Sequence, residues 1–176
     1  MTRWHLAHRW LCAPIPDAGF RWLAPNRHEF PARLAGLGPV LCLWADSPRG
    51  APTGAPDLHA LAHPARLCHA CAVTRDGPRE SLSLYDDAGI ARVHLHLLPD
   101  TDYLAWDALV AAAPELPASD DGAPVGRVDR ARRLRFVTQR LGPCELLCVR
   151  TADTAGALSW RTAQQLAQAQ GARLIA

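Results

Sequence analysis

Residues 68–113 read CHACAVTRDGPRESLSLYDDAGIARVHLHLLPDTDYLAWDALVAAA. Cys68 to Thr74 has strand composition, and Arg75-Asp76-Gly77-Pro78 behind it is turn chemistry. Ser81 to Tyr85 reads as a second strand, Asp86-Asp87-Ala88-Gly89 as a second turn, and Ile90 to Leu98 as a third strand. In the third, Val93, Leu95 and Leu97 alternate with Arg92, His94 and His96, the period of a half-buried strand. Turns this short join antiparallel neighbours, so the stretch predicts a β-meander. Pro99-Asp100-Thr101-Asp102 then opens a helix through Ala112. Asp and Thr there can cap its first amides, and Tyr103, Trp106 and Val110 recur on one face.

Upstream, Asn26 to Leu37 fits a short helix with Phe30, Leu34 and Leu37 at helical spacing and Gly38 past its end, followed by a buried strand over Val40 to Trp44. Downstream, Val128 to Leu141 places Ala131, Leu134, Val137 and Leu141 on one helical stripe, stopped by Gly142 and Pro143. Cys144 to Arg150 reads as a strand, Leu158 to Gln170 as a helix, and Arg173 onward as another strand. Pro/Gly-rich runs at Ser47 to Pro56 and Pro114 to Gly126 punctuate the chain, the second as a linker. The expectation is an α+β fold, an antiparallel β-meander sheet packed with helices. Residues 1–113 form its main domain, 114–127 a linker, and 128–176 a helix–strand–helix segment packing on the same domain.

The chain has 176 residues, 49% of them apolar and 20% charged, which suits one soluble globular domain able to bury a core. Its 19 basic side chains are all arginine, and the formal charge is +2, too little to imply nucleic acid or an anionic membrane. The lack of lysine removes Schiff-base chemistry and the Gly-Lys-Ser/Thr phosphate loop. No apolar run reaches the roughly 18 residues that span a bilayer. Arg3, His5, His8 and Arg9 interrupt any export signal, so the chain reads as cytoplasmic and its 6 cysteines as reduced thiols.

Cys68-His69-Ala70-Cys71 has the spacing of a zinc or redox pair, but on a strand positions three apart face opposite ways, so the sulfurs cannot converge. Cys144 and Cys148 could share a face, yet apolar neighbours surround them and no histidine lies near. His94 and His96 do share a face, the arrangement of several metal enzymes. They either form a metal site or line the wetter side of the sheet with Arg92 and Glu80 near. Arg127, Arg130, Arg132, Arg133, Arg135 and Arg140 read as a solvated helix face.

The chain resembles the bacterial haemin-utilisation family of HemS and ChuX type, cytoplasmic haem-binding and haem-degrading factors. The likeness is carried by Leu67-Cys68-His69-Ala70-Cys71-Ala72-Val73, by Arg79-Glu80-Ser81-Leu82-Ser83-Leu84-Tyr85-Asp86-Asp87-Ala88-Gly89, by Arg92-Val93-His94, and by Asp100-Thr101-Asp102-Tyr103-Leu104-Ala105-Trp106-Asp107-Ala108-Leu109-Val110. Leu34-Ala35-Gly36-Leu37-Gly38-Pro39-Val40-Leu41 is similar to the family's helix-then-strand opening. The chain resembles one half of these duplicated proteins plus the start of the next.

The resemblance implies the HemS-like fold, haem as cofactor and partner, and a role in haem uptake and iron acquisition. It places Arg66 on one side of the haem and His69 and His94 on the sheet. The family's axial histidine, from the helix after the linker, falls on Arg132, which cannot ligate iron. Neutral imidazole from His69, His94 or His96, or a thiolate from Cys68 or Cys71, is then the replacement ligand. Leu67, Leu82, Leu84, Trp44 and Trp106 would be either the haem lining or ordinary core. The expected role is binding and hand-over rather than catalysis, with haem degradation as the enzymatic alternative. A non-haem metal site, or a ligand-free protein pairing through a sheet edge into a homodimer, are the rivals.

Overall fold

The computed structural model describes residues 19–44, 56, 58–74, 77–117, 128–153 and 156–175. The N-terminal segment to residue 18, the Pro/Gly run at 47–55, Arg75-Asp76 of the expected turn, and the expected linker from 118 together with Arg127 lie outside the described residues. In chain order the elements are β1 (Gly19–Leu23), α1 (Phe30–Ala35), β2 (Pro39–Trp44), α2 (Leu58–Ala62), β3 (Arg66–Thr74), β4 (Gly77–Tyr85), β5 (Ala91–Leu97), α3 (Tyr103–Ala111), β6 (Arg130–Leu141), β7 (Cys144–Thr151), α4 (Ala157–Ala169) and β8 (Arg173–Ile175). They form an α+β fold around one 8-stranded sheet of order β1-β3-β4-β5-β2-β6-β7, with β8 beside β6. All pairings are antiparallel except β6 with β8.

The meander stands as β3–β4–β5. Its second turn is held by Asp86, whose carboxylate accepts from the Ala88 and Ile90 amides at 3.0 and 2.9 Å and from Arg92 Nε at 2.7 Å. Gly89 completes that turn at φ +73°, a conformation that favours glycine. Burial alone would raise the Asp86 carboxyl, but these amides and the Arg92 guanidinium outweigh it and hold it below the ordinary carboxylate range.

One correction is large. Val128 to Leu141 contains no helix: Arg130–Leu141 is the 12-residue strand β6. Its first half pairs with β2, and its other edge pairs with β8 and then β7. Because helices pack on both faces here, inward residues alternate between two cores. Ala131 lies in the α4-side cluster, whereas Leu134 and Phe136 lie in the α1–α3 cluster. Two overlapping buried sets produce spacings of three and four that imitate a helical stripe. The segment after the linker is therefore strand–strand–helix–strand, and its arginines lie on a strand. β1 and α2 are further elements that the sequence reading did not mark. Residues 114–116, read as the start of the linker, are tied to β1 through Ala24 N to Pro114 O (2.8 Å) and Leu116 N to Trp22 O (2.7 Å).

The larger core lies between one sheet face and α1, α2 and α3, with Leu34, Val40, Leu67, Leu82, Leu95 and Trp106 fully enclosed. On the other face α4 covers Leu41, Leu43 and Ala131 with Ala163 and Ala167. β2, central and covered on both sides, is buried at every residue. Residues 98–102 join the two layers. Thr101 Oγ1 accepts from Leu98 N and donates to Pro39 O, Asp102 N donates to Leu37 O, and Asp100 N donates to Ser159 Oγ of α4.

Candidate functional site on the sheet

Strand register decides which candidate residues share a face. Two transverse rows run across the α4-side face: Trp22–Cys68–Ser83–His94–Leu43 and Phe20–Ala70–Ser81–His96–Leu41. Neighbouring strands are about 4.8 Å apart, so Trp22 to His94 spans roughly 14 Å across the sheet. α4 packs on β6 and β8, beyond the Leu43 and Leu41 end. Towards β1 the rows stay partly open: Trp22, Cys68, Ala70, Ser81 and Ser83 are half-buried, and Phe20 is exposed.

His94 and His96 are buried on this face, not laid on a wet surface as the alternation suggested. Burial pushes His94 down to about 4. Burial, then the like charge of His94 and of Arg79, pushes His96 down to about 3. Both rings are thus neutral imidazoles near pH 7, the form that can offer a nitrogen lone pair to a metal. Ser83 Oγ lies 2.8 Å from His94 Nδ1 and fixes the ring plane. Ser83 was missed as a candidate: alternation puts it on one face with Ser81, but only the β4–β5 register sets it opposite His94.

His69 does not join them. It pairs with Leu82 on the opposite face, where its Nε2 is 3.0 Å from Glu80 Oε2 and its Nδ1 3.5 Å from Arg21 Nη2. Arginine only donates, so Nδ1 accepts and the Nε2 hydrogen goes to Glu80. The same Glu80 oxygen accepts from Trp106 Nε1 at 3.0 Å. Glu80 therefore serves the α3 layer and is no neighbour of His94 and His96. Arg66, by strand alternation, lies on the His94 face, at the β3 end beside Tyr85, and is exposed.

Cys68 and Cys71 lie on opposite faces, Cys68 opposite Ser83 and Cys71 opposite Glu80. Burial lifts the Cys68 thiol to about 11. Cys71 is raised as well, by burial and then by Glu80, against the lowering pull of Arg21. Thiolate ligation by Cys68 or Cys71 is thereby corrected: both sulfurs are protonated near neutrality. Among the described residues no three His, Cys, Asp or Glu side chains are grouped to hold a metal ion.

Haem meets this donor set only in part. A neutral imidazole steadied at its Nδ1 suits an iron ligand. Of the two readings of Leu67, Leu82, Leu84, Trp44 and Trp106, ordinary core is the one the structure shows: these side chains are sealed in the α1–α3 core. Apolar surface on the histidine face comes instead from Phe20, Trp22 and Ala70. Arg132 stands on β6 opposite Cys42, not on a helix, so the position expected to replace the family's axial histidine is not a helix start.

No family model matches the chain, and no curated protein matches it. Among solved structures it is similar to the heme-degrading enzyme ChuS of Escherichia coli O157:H7, at TM-score 0.40 and 21% identity over 63% of this chain and 39% of that one. It is also similar to holo-PhuS, a heme-binding protein from Pseudomonas aeruginosa, at TM-score 0.43 and 16% identity over 77% of this chain and 41% of that one. The chain thus spans less than half the length of these proteins. Among the described residues no helix is long and apolar enough to cross a membrane.

Proposed function

We propose that this chain binds haem, or a closely related tetrapyrrole, on the sheet face bearing His94 and His96, as a cytoplasmic carrier in haem utilisation. One observation carries the reading: two imidazoles, two residues apart on β5, share a face and are both kept neutral near pH 7. The resemblance of stretches within residues 67–110 to haemin-utilisation proteins supplies the ligand class. His94, with Ser83 on its Nδ1, is the better-held candidate for iron; His96 is the alternative, and Arg66 flanks the same face. His69, engaged with Glu80 on the other side, has no part in it.

Haemin titration in the Soret region tests this. The expected result is saturable one-to-one binding that His94→Ala or His96→Ala weakens and His69→Gln leaves unchanged. Ser83→Ala, which frees the His94 ring, is expected to cost about tenfold in affinity. Binding that is unsaturable, or indifferent to both His94 and His96, overturns the proposal. A Soret band that persists with reductant and oxygen supports hand-over; its bleaching supports degradation.

A further inference from the structure

The histidine face does not end at His96. Arg79 lies two residues along β4 from Ser81, the partner of His96, and Leu98 lies two residues beyond His96. There the sheet opens into a cavity of about 410 Å³ between the ends of β4 and β5, the start of α3, and α4. Among the described residues its apolar walls include Leu97, Pro99 and Leu158, and its cationic groups are Arg79 and Arg161. Glu80, on the other face of β4, also lines it; its Oε2 accepts from His69 Nε2 and Trp106 Nε1, and its single negative charge stands against the two guanidinium groups. Among the described residues of its wall there is no histidine or cysteine, so these residues offer no ligand for iron. Two guanidinium groups from different layers beside apolar wall suit a carboxylate carried on an apolar body.

We infer that the Arg79–Arg161 cavity receives the carboxylate-bearing edge of the tetrapyrrole whose ring lies against the histidine rows. The inference rests on the haem reading and adds a direction to it: the acidic edge points towards α4, away from Arg66. Continuity supports this, because Arg79 belongs to the same sheet face as Ser81 and His96, and its charge reaches the His96 ring. α4 contributes Arg161 from an exposed position, so that side chain can close on a ligand without repacking the core.

Iron-free protoporphyrin IX and its dimethyl ester separate this subsite from iron ligation. Binding is read by quenching of tryptophan fluorescence. The free acid is expected to bind roughly tenfold or more tightly than the ester, as charge-assisted hydrogen bonds would give. Arg161→Gln and Arg79→Gln should each shrink that ratio towards one while leaving the weak ester binding in place. Equal binding of acid and ester by the unaltered protein, with haemin still bound through His94 or His96, overturns the inference and spares the haem reading. Failure of both haemin and protoporphyrin to bind overturns both. The acid–ester comparison needs no substitution, and circular dichroism confirms that each variant is folded.

Discussion

On the face covered by α1, α2 and α3, His69 is held by partners: a carboxylate at one nitrogen and an arginine at the other, with Trp106 sharing the carboxylate. On the opposite face His94 and His96 are held by burial and kept neutral, with a serine hydroxyl at His94 Nδ1. The same residue type on adjacent strands thus meets two electrostatic solutions. A ring locked between charges is part of the scaffold. A ring kept neutral by burial holds its lone-pair form near pH 7, a difference that histidine spacing alone does not show.

The strongest way to break the comparison is to remove the indole that anchors the covered face. Trp106 is fully enclosed and donates to Glu80. Trp106→Ala leaves a cavity in the larger core and takes one donor from the Glu80 carboxylate. The expected loss is about 3–5 kcal/mol, measured by urea unfolding. A loss below about 1 kcal/mol would show that α3 is not what closes this side.

Acid titration sharpens the comparison from the other face. In the unfolded chain both rings titrate near 6.5, whereas folded His94 and His96 do so at about 4 and about 3. Between those values the unfolded state binds more protons. Stability is therefore complete above about pH 6.5 and falls as the pH drops, by up to about 1.4 kcal/mol per pH unit for each ring. Unfolding free energies at pH 7, 6 and 5 should show this slope, and the His94→Gln, His96→Gln double variant should flatten it. Asp86, held below the ordinary carboxylate range, contributes only at lower pH. An unchanged slope in the double variant would sink the assignment of neutral, buried rings.

What the sequence made legible follows from the same two faces. The meander stood out because Asp86 to Gly89 is local turn chemistry, and local chemistry survives whatever packs on top. The faces of Cys68 and Cys71 followed from strand alternation for the same reason. β6 was hidden because α4 and the α1–α3 layer bury opposite sides of it, so Ala131 and Leu134 both turn inward though of opposite parity. Its arginines added to the disguise: Arg133, read as part of a solvated helix face, lies 4.6 Å from the Trp160 ring centroid on α4. The site was half legible. His94 and His96 share a face by alternation alone, but the displacement of His69 and the arrival of Ser83 depend on inter-strand register, which periodicity does not contain.

The smallest expected effect lies where the two layers meet. Asp102 caps α3 by accepting from Ala105 N at 3.0 Å, on the covered side. Two residues earlier, Asp100 accepts from Gly156 N at 2.7 Å and places its carboxylate at the start of α4, which has no side-chain cap of its own. Asp102→Ala and Asp100→Ala should each cost about 1 kcal/mol, the usual loss for a missing cap. Amide exchange tells them apart. The first should speed exchange at Ala105 and leave Gly156 protected, and the second should do the reverse. If either substitution loosens both helices together, residues 99–102 form one rigid joint, and the two faces respond to each other through it rather than separately.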